Sequence, residues 1–309
     1  MKIQNSILTN EEKIIFTLRA LYDQFGYSLY KMSKFEPYDL YVRNKDFLIS
    51  DQVITFTDVN GKLMALKPDV TLSIIKNSKD EAGKVDKLYY NENVYRVAGA
   101  GRNYREIMQV GLECIGDIDK TCVAEVVTLA VQSLRAISSD FVLDLSHPGI
   151  VTAVTADMAD AVKAAVLKCI GEKNRHELAL ICEQNGVDVK VVELLDGLIG
   201  CYGTPDAVLS QLKGMDLPQA ALVAVMELEE LVSGLEDADN LRIDLSSVSN
   251  TKYYNGITFK GFINGVPESV LSGGRYDKLL ARMGRTSGAI GFAVYLDALE
   301  RFVIEEVGE

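Results

Sequence analysis

The sequence predicts an α+β protein in which an antiparallel sheet domain is split by a helical insertion. Three observations predict it. Short apolar runs separated by turn residues dominate the stretch up to about residue 150, helix-period runs fill 151–240, and strand-like alternation returns from 241 to 309. Strands, then helices, then strands imply that 1–150 and 241–309 form one core and that 151–240 is a helical insertion subdomain.

Each element follows from local chemistry. Thr9 and Glu12 have capping-box spacing, and Ile14, Ile15, Leu18, Leu21, Tyr22 and Phe25 recur at helical period before Gly26 ends the run. Val53 to Phe56 and Leu63 to Leu66 flank the turn Asn60-Gly61, the pattern of a hairpin. A helix is expected from Val70 to Lys76. Lys87 to Arg96 and Glu106 to Ile115 read as paired strands joined by a loop over Val97 to Arg105, kept flexible by Gly99 and Gly101. Val123 to Ile137 is helical in period and Phe141 to Leu145 is strand-like. The insertion is rich in Ala, Leu and Glu, and its short helices break at Gly171, Gly186, Gly200, Gly203-Thr204-Pro205 and Leu217-Pro218. Strands are expected at Leu241 to Leu245, Tyr253 to Gly261 and Glu268 to Ser272, and Gly288 to Phe302 reads as a strand running into a helix.

Bulk properties narrow the function. Hydrophobic content of 48% and charged content of 25% over 309 residues are those of a globular domain. A net charge of −12 without a dense Lys/Arg cluster argues against a nucleic-acid partner. No apolar segment has the length of a membrane span, and Met1 to Phe16 lacks the apolar stretch of an export signal, so a cytoplasmic protein is expected. Five scattered cysteines (Cys114, Cys122, Cys169, Cys182, Cys201) and two distant histidines (His147, His176) give no metal-ligand spacing. No metal or other cofactor is expected.

Alternation along Ile107 to Ile115 sets Met108, Val110, Leu112 and Cys114 on one face and Gln109, Gly111 and Glu113 on the other. A Gly between an amide and a carboxylate suits a pocket floor, because it leaves room while its neighbours meet N–H donors or a cation. A solvated outer sheet face fits the same pattern. Tyr254, Gly256 and Thr258 alternate in a similar way against Tyr253, Asn255, Ile257 and Phe259.

Four segments together resemble the catalytic core of histidyl-tRNA synthetases, a class II fold with an antiparallel sheet flanked by helices. They are Tyr89 to Arg96, Tyr104 to Glu113, Tyr253-Tyr254-Asn255-Gly256 and Ser272-Gly273-Gly274-Arg275-Tyr276-Asp277. The resemblance implies that Arg96 matches a phosphate-contacting arginine and that Gln109 and Glu113 match residues holding the amino acid. Lys67-Pro68-Asp69-Val70-Thr71 looks like the family's Arg-Pro-Glu-x-Thr, whose carboxylate grips the α-amino group. Asp69 is one methylene shorter, which leaves space for a bridging water. Tyr254 and Tyr276 match tyrosines bordering an imidazole, and Glu113 suits an imidazole N–H. Arg102 and Arg105 remain as weaker anion-binding candidates.

Two departures bear on chemistry. The family's Leu-Val-Arg-Gly-x-Asp-Tyr-Tyr arginine falls on Ser249, and the arginine that stacks on adenine in its third motif falls on Ala298; Glu300-Arg301 lies a few residues later. Adenylation moves negative charge onto a phosphate, and fixed cations are the main means of stabilising it. Ser33 also replaces a proline of the first motif, and the resemblance extends over 1–150 and 241–309 with no counterpart of an anticodon-binding domain. These departures are similar to those of ATP phosphoribosyltransferase regulatory subunits. That likeness implies a non-catalytic subunit in the first step of histidine biosynthesis, with no catalytic residues. It also implies a short-form catalytic subunit as partner, free histidine as allosteric effector, and a homodimer within a hetero-oligomer. The expected histidine contacts are Asp69, Thr71, Arg96, Gln109, Glu113, Tyr254 and Tyr276. A truncated synthetase-like ligase forming an aminoacyl-adenylate and a binding module with an empty pocket are the competing readings.

Overall fold

The structure is a computed structural model that describes residues 7–45, 48, 53–98, 103–235, 239–247 and 253–299. The chain divides into two compact units, the first comprising Met1–Phe141, Phe262–Gly273 and Asp277–Glu309, the second Val142–Gly261 and Gly274–Tyr276.

The first unit opens with α1 (Asn10–Gln24), held by the expected capping box: Glu12 N–H donates to Thr9 Oγ1 at 3.2 Å and Thr9 N–H to the Glu12 carboxylate at 2.9 Å. Gly26, at φ +79°, lets the chain turn out of it. The short strands β1 (Ser28–Leu29) and β2 (Phe35–Pro37) and the helix α2 (Tyr38–Arg43) follow. The hairpin β3 (Thr55–Thr57) and β4 (Leu63–Leu66) forms around Gly61 at φ +80°, with Asp58 Oδ1 accepting from the N–H groups of Asn60 and Lys62. With β2 it makes a three-stranded sheet ordered β2-β4-β3.

Helix α3 (Thr71–Asn77) leads into the long hairpin β5 (Val85–Ala98) and β6 (Asn103–Gly116), and α4 (Lys120–Ile137) follows. The strands run further than the sequence suggests. Val97, Ala98, Asn103, Tyr104 and Arg105 are all in the ladder, where Val97 pairs with Tyr104 and Ala98 with Asn103. The expected loop thus loses Val97, Ala98 and residues 103–105 to the ladder, and residues 99–102 lie outside the described residues. Val97 and Tyr104 have high β-propensity, which carries the ladder past the expected ends of both strands.

Strand β12 (Gly288–Tyr295) pairs antiparallel with β6, and within this unit the strand order is β1-β5-β6-β12-β11, where β11 is Leu271–Arg275. Helix α11 (Asp277–Arg282) precedes β12, and the chain leaves β12 in a 3-10 turn, Leu296–Leu299. The end of the helix expected there lies outside the described residues. Helices α1 and α4 cover one face of the sheet. The Tyr22 ring lies 6.1 Å from Tyr89 and 6.0 Å from Phe292, and its hydroxyl meets Ser133 Oγ at 3.0 Å.

Among the described residues the second unit contains most of β7 (Phe141–Ser146), six helices and three further strands, the last in greater part: α5 (Pro148–Val154), α6 (Asp160–Gly171), α7 (Arg175–Gln184), α8 (Val189–Ile199), β8 (Tyr202–Gly203), α9 (Pro205–Lys213), α10 (Gln219–Ser233), β9 (Leu241–Asp244) and β10 (Thr258–Ile263). Its strand order is β10-β7-β9-β8, with β7 and β9 parallel and β8 antiparallel to β9. Helix α5 packs on α10 and α8, and α6 on α7.

One expected strand is shorter than its pattern. Tyr253 to Ile257 is irregular, and regular pairing begins only at Thr258. Asn255 N–H donates to the Arg275 carbonyl at 3.0 Å and Arg275 N–H to the Ile257 carbonyl at 2.9 Å, so the backbone is satisfied without a continuous ladder. The alternation of Tyr254, Gly256 and Thr258 thus describes no sheet face before Thr258.

Candidate functional site

Register decides which side chains share a face in the first unit. Leu88 opposes Glu113, Tyr90 opposes Gly111, Glu92 opposes Gln109 and Arg96 opposes Arg105. On the other side of β6, Gly291 opposes Glu113 and Tyr295 opposes Gln109. Tyr89, Leu112 and Phe292 take the face under the helices, so Glu113, Gly111 and Gln109 look away from them. That second face is not a solvated surface: Gln109 is 4% exposed and Glu113 2%. Buried polar groups require partners, so this face is not a solvated exterior.

Its glycines are dictated by close approach. A Cβ on Gly111 would fall 2.3 Å from the Phe292 carbonyl oxygen and 2.5 Å from the Tyr90 hydroxyl. On Gly291 it would fall 1.9 Å from Glu113 Oε2. Only hydrogen fits at either place, and the room it leaves is taken by the Tyr90 phenol and the Glu113 carboxylate.

The segment after β4 closes over this face. Thr71 Oγ1 donates to Glu113 Oε1 at 2.7 Å, and Asp69 Oδ1 accepts the Leu72 N–H at 2.9 Å. Burial pushes the Asp69 carboxyl up from its ordinary value, against the opposing effects of the Leu72 N–H and the Arg96 charge. Arg96 Nε donates to the Pro68 carbonyl at 3.3 Å, which pins the guanidinium to the Asp69 segment. Burial likewise raises the Tyr90 phenol, reinforced by the charges of Glu113 and Asp69. Tyr295 is raised by burial, with Arg96 acting in the opposite direction.

A buried ion pair holds the segment down. Lys67 is 0% exposed and its Nζ lies 2.5 Å from Glu92, which is 12% exposed. The Lys67 N–H donates to the Lys34 carbonyl and the Tyr95 N–H to the Lys67 carbonyl, at 3.1 and 2.9 Å. The strand β5 thereby carries residues 67–71 at a fixed height over the sheet.

Of the residues singled out in the sequence, Asp69, Thr71, Arg96, Gln109 and Glu113 all lie in this part of the first unit. Arg105 is engaged elsewhere, in an ion pair with Asp297 at 2.8 Å. Arg102, Ser249 and Glu300-Arg301 lie outside the described residues, while Ala298 sits in the 3-10 turn after β12. Tyr254 and Tyr276 belong to the second unit. There Tyr253 makes ring contacts with both, at 4.7 and 5.5 Å between centroids, and a Cβ on Gly274 would fall 2.8 Å from Tyr254 Cδ1. Sequence reasoning missed Lys67–Glu92, Tyr90, Tyr295 and Gly291. Stepping back by twos from Arg96 along β5 reaches Glu92 and Tyr90, so that signal was present.

Two carboxylates, an amide, a hydroxyl and a guanidinium in a small buried region suit a zwitterion bearing a further N–H donor. Among the described residues no group of three or more His, Cys, Asp or Glu side chains is placed to hold a metal ion, and no helix is long and apolar enough to cross a membrane.

Comparison with known proteins finds relatives along nearly the whole chain. A family model described as histidyl-tRNA synthetase matches residues 5–299. The ATP phosphoribosyltransferase regulatory subunit of Caldanaerobacter subterraneus subsp. tengcongensis is 30% identical over 290 residues, 90% of this chain and 75% of that protein. A solved ATP phosphoribosyltransferase regulatory subunit/histidyl-tRNA synthetase from Bacillus halodurans is 25% identical with a TM-score of 0.83, covering 97% of this chain and 80% of that one. A chain of the ATP phosphoribosyl transferase (HisG:HisZ) complex from Thermotoga maritima shares the fold at 21% identity and a TM-score of 0.74, covering 94% and 98%. The chain belongs to the histidyl-tRNA synthetase family and, within it, to the ATP phosphoribosyltransferase regulatory subunits.

Proposed function

We propose that this regulatory subunit binds free histidine on the buried face of β6 and passes its occupancy to a short-form catalytic subunit in the cytoplasm. The chain is the non-catalytic member of the ATP phosphoribosyltransferase complex, acting in the first step of histidine biosynthesis. The single observation that carries histidine binding is the buried Glu113 carboxylate, already held by Thr71 and lying on the same face as Gln109. A carboxylate on a buried polar face is a suitable acceptor for an imidazole N–H. Asp69 takes the ammonium group and Arg96 the carboxylate. Tyr254 and Tyr276 enter by motif resemblance alone. Regulation then requires that histidine bind one state of the assembly more tightly than the other.

Chemistry on the bound amino acid is disfavoured by residue type, since Ser249 and Ala298 supply no charge to a reacting phosphate. On the three-stranded sheet Phe35 and Phe56 share one face and are exposed, with their rings 5.3 Å apart, an apolar patch that supports the homodimer. Calorimetry with histidine, paired with an ATP–pyrophosphate exchange assay, tests the reading. Histidine binding without exchange is expected. Exchange at a robust rate indicates a ligase instead, and no heat up to millimolar histidine indicates a module with no ligand.

A further inference from the structure

Tyr41, on α2, is fully buried, yet its hydroxyl has no hydrogen-bond partner. A buried hydroxyl left unpaired is costly, and natural structures rarely keep one without a use. Burial pushes its pKa up from the ordinary value, and the charges of Asp69 and Glu36 add to the rise. Glu36 is already engaged, accepting from Ser73 Oγ at 2.9 Å and Lys76 Nζ at 2.6 Å. Asp69 has committed Oδ1 to the Leu72 N–H. Helix α2 packs against β2 and β4, and β4 runs directly into Lys67–Thr71, so the orphaned oxygen lies by the segment that carries the carboxylate assigned to the ligand's amino end. With Oδ1 already accepting from Leu72, that single carboxylate leaves part of a three-donor ammonium group unmet.

We infer that Tyr41 is a ligand-positioning residue whose hydroxyl, together with Asp69, holds the ammonium group of the bound amino acid. The inference rests on the histidine reading above. An ammonium donates three hydrogen bonds, and a phenol oxygen accepts one with no proton changing hands. Tyr41→Phe removes that acceptor while keeping the ring that fills the space under α2.

The test compares three ligands on the wild-type chain and on Tyr41→Phe: histidine, histamine, which keeps the ammonium, and imidazole-4-propionate, which lacks it. Tyr41→Phe is expected to weaken histidine and histamine by about tenfold and to leave imidazole-4-propionate unchanged. The melting temperature of the ligand-free variant is expected to equal or exceed that of the wild type, because the lost hydroxyl had no partner. An unchanged histidine affinity, or an equal loss for all three ligands, overturns the role assigned to Tyr41 while leaving histidine binding intact. Absence of histidine binding by the wild type overturns both.

Discussion

Replacing Glu113 by Gln isolates the charge at the centre of the site. The side chain keeps its size, so the space beside Gly291 stays filled, and Thr71 Oγ1 can still donate to the remaining carbonyl oxygen. What disappears is a desolvated negative charge only 2% exposed. Hydrogen bonds to a charged partner are roughly twice as strong as neutral ones. Losing one to a buried ligand costs about 1–3 kcal/mol, which corresponds to roughly a 5- to 150-fold rise in the histidine Kd. The ligand-free protein responds differently, since removing a buried charge relieves its desolvation, and its melting temperature is expected to hold or rise. Titration calorimetry and thermal melts on the same preparations separate the two effects. A histidine Kd equal to that of the wild type would refute the placement of imidazole against Glu113.

Other perturbations test the framework around the site. Lys67→Met strands the mostly buried Glu92 carboxylate and is expected to lower stability by about 3–5 kcal/mol in denaturant titrations. The double change Lys67→Met/Glu92→Leu is expected to recover most of that loss, and no recovery would show that the pair is not the cause. In the second unit, His147 Nδ1 accepts the Gly149 N–H at 3.1 Å while Nε2 faces Glu227 at 3.1 Å, so the neutral ring caps α5. Burial holds its pKa below the ordinary 6.5, assisted by Arg275 and opposed by Glu227. The unfolded chain thus takes up the proton first. Stability is complete above about pH 6.5 and falls as pH drops from there towards the folded value, by at most about 1.4 kcal/mol per pH unit. His147→Asn keeps a capping acceptor without the titration, and its melting temperature is expected to vary less with pH between 7.5 and 5. Parallel profiles for the two proteins would assign the acid loss to other groups.

Where local chemistry acts alone, the sequence shows the structure plainly. The capping box of Thr9 and Glu12, the Asn60-Gly61 hairpin and the period-two run through Gln109 and Glu113 all depend on neighbours within a few residues. The run from Tyr253 to Ile257 misled because its aromatic and apolar residues have strand propensity, whereas Asn255-Gly256 is itself turn chemistry that outweighs it. β1 and β8 are two residues each, too short for any period to appear. The pocket face was legible as a pattern but ambiguous in meaning. Whether Gln109 and Glu113 meet solvent or protein depends on the segment from Lys67 to Thr71, which is distant in sequence and fixed by the Lys67–Glu92 pair. Tyr41 was illegible for the same reason: a tyrosine on a short helix reveals nothing of an unpaired hydroxyl until the helix is packed. The replacements at Ser249 and Ala298 were clear from residue type, since no geometry gives either side chain a positive charge.

Regulation by a subunit that binds an amino acid but does not activate it is tested most directly by reconstitution. The measurement is the initial rate of a short-form ATP phosphoribosyltransferase catalytic subunit, with and without this chain, across a histidine titration. The rate is expected to rise when the chain is added and to fall with histidine only when the chain is present. A rate indifferent to the chain, or the same histidine response in its absence, would contradict it.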